Sequence, residues 1–155
     1  MKNAQKERGQ SLVELSISIL VLLLLLVGAV EFGMAFFQFV QLRDAAQEGA
    51  LYGSLNPTDI TGVMERVRGS SDSPIDLGDT SVVPDANIIV TLTSSNSDPK
   101  RACEGIDTNG DSNGIEVRIE FEHDVFMPFM EAIIGPTIPL NATVTDTILS
   151  PRCPK

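Results

Sequence analysis

Leu12-Val13-Glu14-Leu15-Ser16-Ile17-Ser18-Ile19-Leu20-Val21-Leu22-Leu23-Leu24-Leu25-Leu26-Val27-Gly28-Ala29-Val30 contains a single charged side chain, Glu14. From Leu15 to Leu42 the only charge is Glu31. At about 1.5 Å per residue, a helix over Leu15–Leu42 is about 40 Å long, enough to cross a hydrocarbon layer of about 30 Å. One spanning helix is therefore expected, with its transmembrane part at about 12–33. Lys2, Lys6 and Arg8 precede it, whereas Arg43 is soon joined by Asp44 and Glu48. This bias keeps the amino terminus cytoplasmic and puts the remainder outside. A secretory signal peptide also starts with positive charge, but its apolar region runs for only about 7–15 residues. Here the run is longer, and 31–42 stays largely apolar with no A-x-A-like cleavage signal.

The local string Arg8-Gly9-Gln10-Ser11-Leu12-Val13-Glu14 resembles the processing site of type IV prepilins. That resemblance implies a membrane peptidase cutting after Gly9, with Gln10 as the first mature residue and Glu14 as the fifth. Glu31-Phe32-Gly33 and the alanine-rich Asp44-Ala45-Ala46-Gln47-Glu48-Gly49-Ala50 narrow it to the TadE-like family, pilin-like proteins of tight-adherence pilus systems. The likeness covers the first 55 residues well and the last 40 loosely. It implies a structural subunit and no enzyme, in the bacterial cytoplasmic membrane or, once assembled, in a surface pilus. Implied partners are a prepilin peptidase and other pilin or pseudopilin subunits, or further copies of the chain. Two positions depart from the pattern: Leu20 stands near where many relatives carry a proline, and Gln10 where major pilins begin with phenylalanine. The second departure favours a minor pilin or pseudopilin.

The motif also has a plain physical reading. Cleavage after Gly9 creates an α-amino group four residues from Glu14, and the carboxylate of one subunit is placed to neutralise the amine of its neighbour. Both charges are otherwise poorly solvated, so the pair favours one axial register. The alternative is that Glu14 only reaches the headgroups at the cytoplasmic edge. Glu31 likewise has two readings, contact with water at the outer interface or with a helix partner in the pilus system. Both acids are candidate assembly residues.

Composition bounds the rest. The chain carries 11 Lys+Arg against 21 Asp+Glu, a net charge of −10, and such a surface repels phosphate backbones. No nucleic-acid partner is expected. The roughly 100 residues after Leu55 suffice for one small core. Ala45, Gly49 and Gly53 recur every fourth residue, giving the helix a smooth stripe for close packing. Asn56-Pro57-Thr58-Asp59 supplies a cap and a first turn for a short helix to about Gly69, with Ile60, Val63, Met64 and Val67 on one face. Ser70 to Asp85 is rich in turn formers and is expected to be a variable loop. Strands are expected at Asn87–Thr93, Ile115–Phe121 and Asn141–Leu149, with a short helix from Pro128 to Ile134 closed by Gly135-Pro136. The fold class is α+β: a leader at 1–9, a long N-terminal helix at 10–55, and a small antiparallel-sheet head at 56–155, pilin-like in order.

Candidate sites in the head are few. Cys103 and Cys153, both expected outside, favour one disulfide. Closing a loop of about 50 residues contributes about 3 to 4 kcal/mol in the loop-entropy picture. Two free thiols are the alternative. Asp107, Asn109, Asp111 and Asn113 form a D-x-N-x-D-like run with alternate oxygen ligands suited to calcium. It departs from the EF-hand pattern at Ser112 and at Arg118, where glycine and a bidentate glutamate are wanted, and the same residues also make metal-free turns. No cofactor other than this possible calcium is expected. His123, the sole histidine, reads as a surface residue between Glu122 and Asp124. Phe126, Met127, Phe129 and Met130 read as the core-facing side of the short helix, with a membrane-contact or ligand patch as the alternative. The rival to a pilus subunit is a single-pass, membrane-anchored extracellular binding module, stabilised by calcium, in which Glu14 is dispensable.

Overall fold

The computed structural model describes residues 3–93, 103, 105 and 113–149. Helix α1 runs unbroken over Asn3–Leu55. Helix α2 covers Ile60–Gly69, a 3-10 turn Asp85–Asn87 leads into strand β1 at Ile88–Thr93, and strand β2 spans Gly114–Asp124. Helix α3 takes Pro128–Ile134, and strand β3 runs over Thr137–Thr147. The three strands form one antiparallel sheet in the order β1-β2-β3. A long apolar helix followed by a small antiparallel sheet is the α+β architecture expected.

Alternation in β2 positions the core. Ile115, Val117 and Ile119 are buried, while Glu116, Arg118 and Glu120 on the other face are not. Val117 lies opposite Val90 on one side and Val144 on the other, and Ile119 lies opposite Ile88 and Ala142. This face packs on α1 through Leu42, Ala45, Ala46 and Ala50, joined by Val63 and Val67 of α2. The stripe of small residues is what allows the approach. A methyl group placed on Gly49 would come within 2.5 Å of Val67 Cγ2, and one on Gly53 would collide with Ile115 Cδ1.

Four local expectations are corrected. The cap of α2 is Asp59, which accepts the Gly62 N–H at 3.0 Å, so Asn56-Pro57-Thr58 forms the preceding turn and lies outside the helix. That hydrogen bond, with a second from the Tyr52 hydroxyl, holds the Asp59 carboxyl below its ordinary range. Ile60 is 40% exposed, leaving Val63 and Val67 as the fully buried positions of α2.

The 70–85 loop is pinned. Ile75, Leu77 and Val83 enter the core. Gln41 donates to the Ile75 carbonyl at 2.9 Å, and Arg68 donates to Leu77 at 2.7 Å and Val83 at 3.2 Å while pairing with Asp85. Lastly, β3 begins four residues earlier than its composition suggests. Pro139 lacks the N–H that an inner strand requires, but β3 is an edge strand with a free side.

Substituting Gly49→Leu therefore overpacks the seam between α1, α2 and β2, at a cost of about 1–3 kcal/mol. A lowered thermal midpoint of the detergent-solubilised protein, followed by circular dichroism, checks this. A control at Gly33, where an added methyl meets no atom within 4 Å, leaves the midpoint unchanged.

Candidate functional site

The apolar segment of α1 is bare. Every residue from Gln10 to Leu26 is exposed, and no part of the most apolar window is buried against the head. The helix is long and apolar enough to cross a membrane. Within this segment the polar atoms are satisfied by the helix itself. Ser16 Oγ donates to the Leu12 carbonyl and Ser18 Oγ to the Glu14 carbonyl, each at 2.8 Å, as hydroxyls must where water is absent.

Glu14 is the exception. Its carboxylate accepts a hydrogen bond from Gln10 Nε2 at 3.3 Å, and among the described residues no basic group reaches it. Gly9 lies in the helix just before Gln10. Among the described side chains the lower end of the rod thus presents one carboxylate that no basic group reaches, set one turn above the junction that the prepilin-like motif marks.

Near the upper end stands Glu31, only 1% exposed. Alternation in β2 runs on past Phe121 and places His123, also 1% exposed, on the same inner face. His123 Nε2 lies 3.0 Å from Glu31 Oε1, and the Phe126 N–H donates to that same oxygen at 3.1 Å. The other ring nitrogen, Nδ1, is 2.6 Å from Gln38 Oε1, which sits two turns further along the same helical face. The Phe126 ring meets the imidazole edge-on, with centroids 6.0 Å apart.

The imidazole is hydrogen-bonded at both ring nitrogens, to Gln38 and to Glu31, and the donor at each contact follows the tautomer and the orientation of the Gln38 amide. These contacts, with the Phe126 N–H, tie α1 to the end of β2 and to the chain entering α3. Glu31 Oε2 has no hydrogen-bond partner among the described residues, so the desolvation of this acid is only partly offset. Both side chains are shut away from solvent, which suits a brace and gives no access to a substrate.

Two sequence expectations are corrected here. His123 is a core residue; the signal that could have found it was the two-residue alternation Ile115, Val117, Ile119, Phe121, His123, carried one step further. Glu31 does not meet water, one of its two readings, because the head of its own chain closes over it. Gln38 and the Phe126 N–H were missed, since nothing local in the sequence points to them.

The remaining candidates are placed as follows. Cys103 is buried and disulfide-bonded, while Cys153 lies outside the described residues. Asp107, Asn109 and Asp111 also lie outside them. Asn113 is buried, its N–H donating to the Gly105 carbonyl at 3.2 Å and its carbonyl accepting the Ile148 N–H at 2.9 Å.

Removing one partner of the buried pair leaves the other uncompensated, so His123→Ala costs about 3–5 kcal/mol in chemical denaturation. The double variant Glu31→Leu with His123→Leu loses less than either single leucine substitution, and strictly additive losses would show that the two side chains do not interact.

No curated protein and no solved structure matches this chain. Residues 9–51, from Gly9 to the small-residue stripe, match the family model described as TadE-like protein, the family that the motifs around Gly9, Glu14 and Glu31 resemble.

Proposed function

We propose that this protein is a pilin-like structural subunit, a minor pilin or pseudopilin, of a tight-adherence type IV pilus. A prepilin peptidase trims it after Gly9. The helix then holds it in the bacterial cytoplasmic membrane, amino terminus inside and head outside, until it joins other pilin-like subunits or further copies. Its role is association, and no reaction is assigned to it.

One observation carries this reading: an apolar rod, exposed from Gln10 to Leu26, whose lower end holds Glu14, a carboxylate that no basic group among the described side chains reaches. A helix that serves only as an anchor gains nothing from a charge at that depth, where it is costly to keep. The new amine at Gln10 of an adjoining subunit is a partner of the right sign, delivered by the same cleavage. Pairing the two offsets the desolvation of both and fixes the axial stagger between helices. The match over residues 9–51 supports the same assignment.

Gly9→Val should leave the protein untrimmed, read as an intact mass that begins at Met1. Glu14→Ala should be trimmed normally yet recovered in sheared pili or cross-linked assemblies at roughly a tenth or less of the wild-type amount, given about 3–5 kcal/mol for stranding one charge of a buried pair. Wild-type assembly of Glu14→Ala would instead identify the helix as a simple anchor.

A further inference from the structure

Helix α3 presents its apolar side chains outward. Phe126 and Phe129, expected to face the core with Met127 and Met130, are 67% and 75% exposed, while the two methionines are half-buried; Ile133 and Ile134 are 65% and 45% exposed. Met130 lies beside Gly28 of α1. An apolar groove of about 460 Å³ remains between Phe129 and Met130 on one side and Ile19, Leu23 and Val27 on the other. Such a surface is costly in water.

Its depth suggests what covers it. The groove runs from Val27 past Leu23 to Ser16, four to fifteen residues below Glu31, or about 6 to 22 Å down the helix axis. If the span begins near Leu12, these levels lie within the hydrocarbon layer. Around α3 itself, Phe129 and Ile133 share one side, Met130 and Ile134 the adjoining side toward α1, and Glu131 lies about 200° from Phe129. The apolar flank of α3 and its one charge therefore lie on opposite sides of the helix. The exposed face of α3 is also continuous with the exposed apolar face of the span. The hydrogen bond from the Phe126 N–H to Glu31 and that from the Val125 N–H to the Pro136 carbonyl, 2.9 Å, hold both ends of this excursion.

We propose that α3 is a second membrane contact: Phe126, Phe129 and Ile133 are immersed in the outer leaflet, and lipid acyl chains fill the groove between α3 and α1. The proposal rests on the membrane-spanning reading of α1 and adds to it a fixed depth and tilt for the head.

The chain contains no tryptophan, so a single introduced one reports its own site. Phe129→Trp, Leu23→Trp and Ile89→Trp, the last on the exposed side of the head, are each placed in the full-length protein in phosphatidylcholine vesicles with and without brominated acyl chains. The expected result is blue-shifted emission from Phe129→Trp that brominated chains quench as strongly as that of Leu23→Trp, with Ile89→Trp unquenched. Quenching at Leu23→Trp alone overturns the proposal and leaves the span intact. Quenching at neither position overturns both. Blue-shifted but unquenched emission at Phe129→Trp that reddens on diluting protein into lipid overturns it too, because a second copy then covers the face.

Discussion

A buried carboxylate at the place where the apolar rod becomes the spine of the head is the constraint on which the structure turns. Glu31 lies nineteen residues after Leu12, about 28 Å along the axis and thus close to the outer edge of a hydrocarbon layer of about 30 Å. An acid there needs a partner. The head supplies one imidazole and one backbone N–H from a single stretch, His123 to Phe126, and so its docking and the shielding of Glu31 are one event. Gln38 fixes the far side of the ring and thereby the rotation of β2 against the helix.

Above and below that point a single helix faces two environments. Below, its surface is apolar all round and bare, as suits a segment surrounded by lipid or by other helices. Above, the face turned to the head is lined by Leu42 and a stripe of small residues, so that sheet and α2 lie close to the backbone, while Phe32, Phe36, Phe37 and Leu51 stay exposed. The helix needs no break between the two regimes because the Glu31 cluster absorbs the one polar group at the transition. The Ser54 carbonyl, which accepts the Leu149 N–H at 2.8 Å, closes the opposite end of the head against the helix. The head is thus held at both ends of the upper half of α1, and forces on the rod pass directly into the sheet.

Much of this was legible beforehand where the cause is local. The unbroken apolar run announces the helix, the alternation from Ile115 announces β2, and Gly135, at φ 96°, stops α3 where expected because a left-handed residue there is cheap only for glycine. What was hidden depends on distant partners. Nothing near His123 in sequence reveals an acid 92 positions away. Ile75, Leu77 and Val83 sit among turn formers, and only the reach of Gln41 and Arg68 brings them into the core. The side chains of α3 have the spacing of a buried face, and spacing does not distinguish protein from lipid as the apolar medium.

The most direct test is the nitrogen resonances of the imidazole. His123 is the only histidine, so uniform ¹⁵N-histidine labelling of the protein in lipid nanodiscs gives signals from that ring alone. A ring held in one hydrogen-bonded state, protected from water and changed at Nε2 by Glu31→Gln while Nδ1 keeps its bond to Gln38, is expected. A ring that interconverts freely between tautomers and exchanges with water, unaffected by Glu31→Gln, would contradict the view that the head is locked to the helix through this acid.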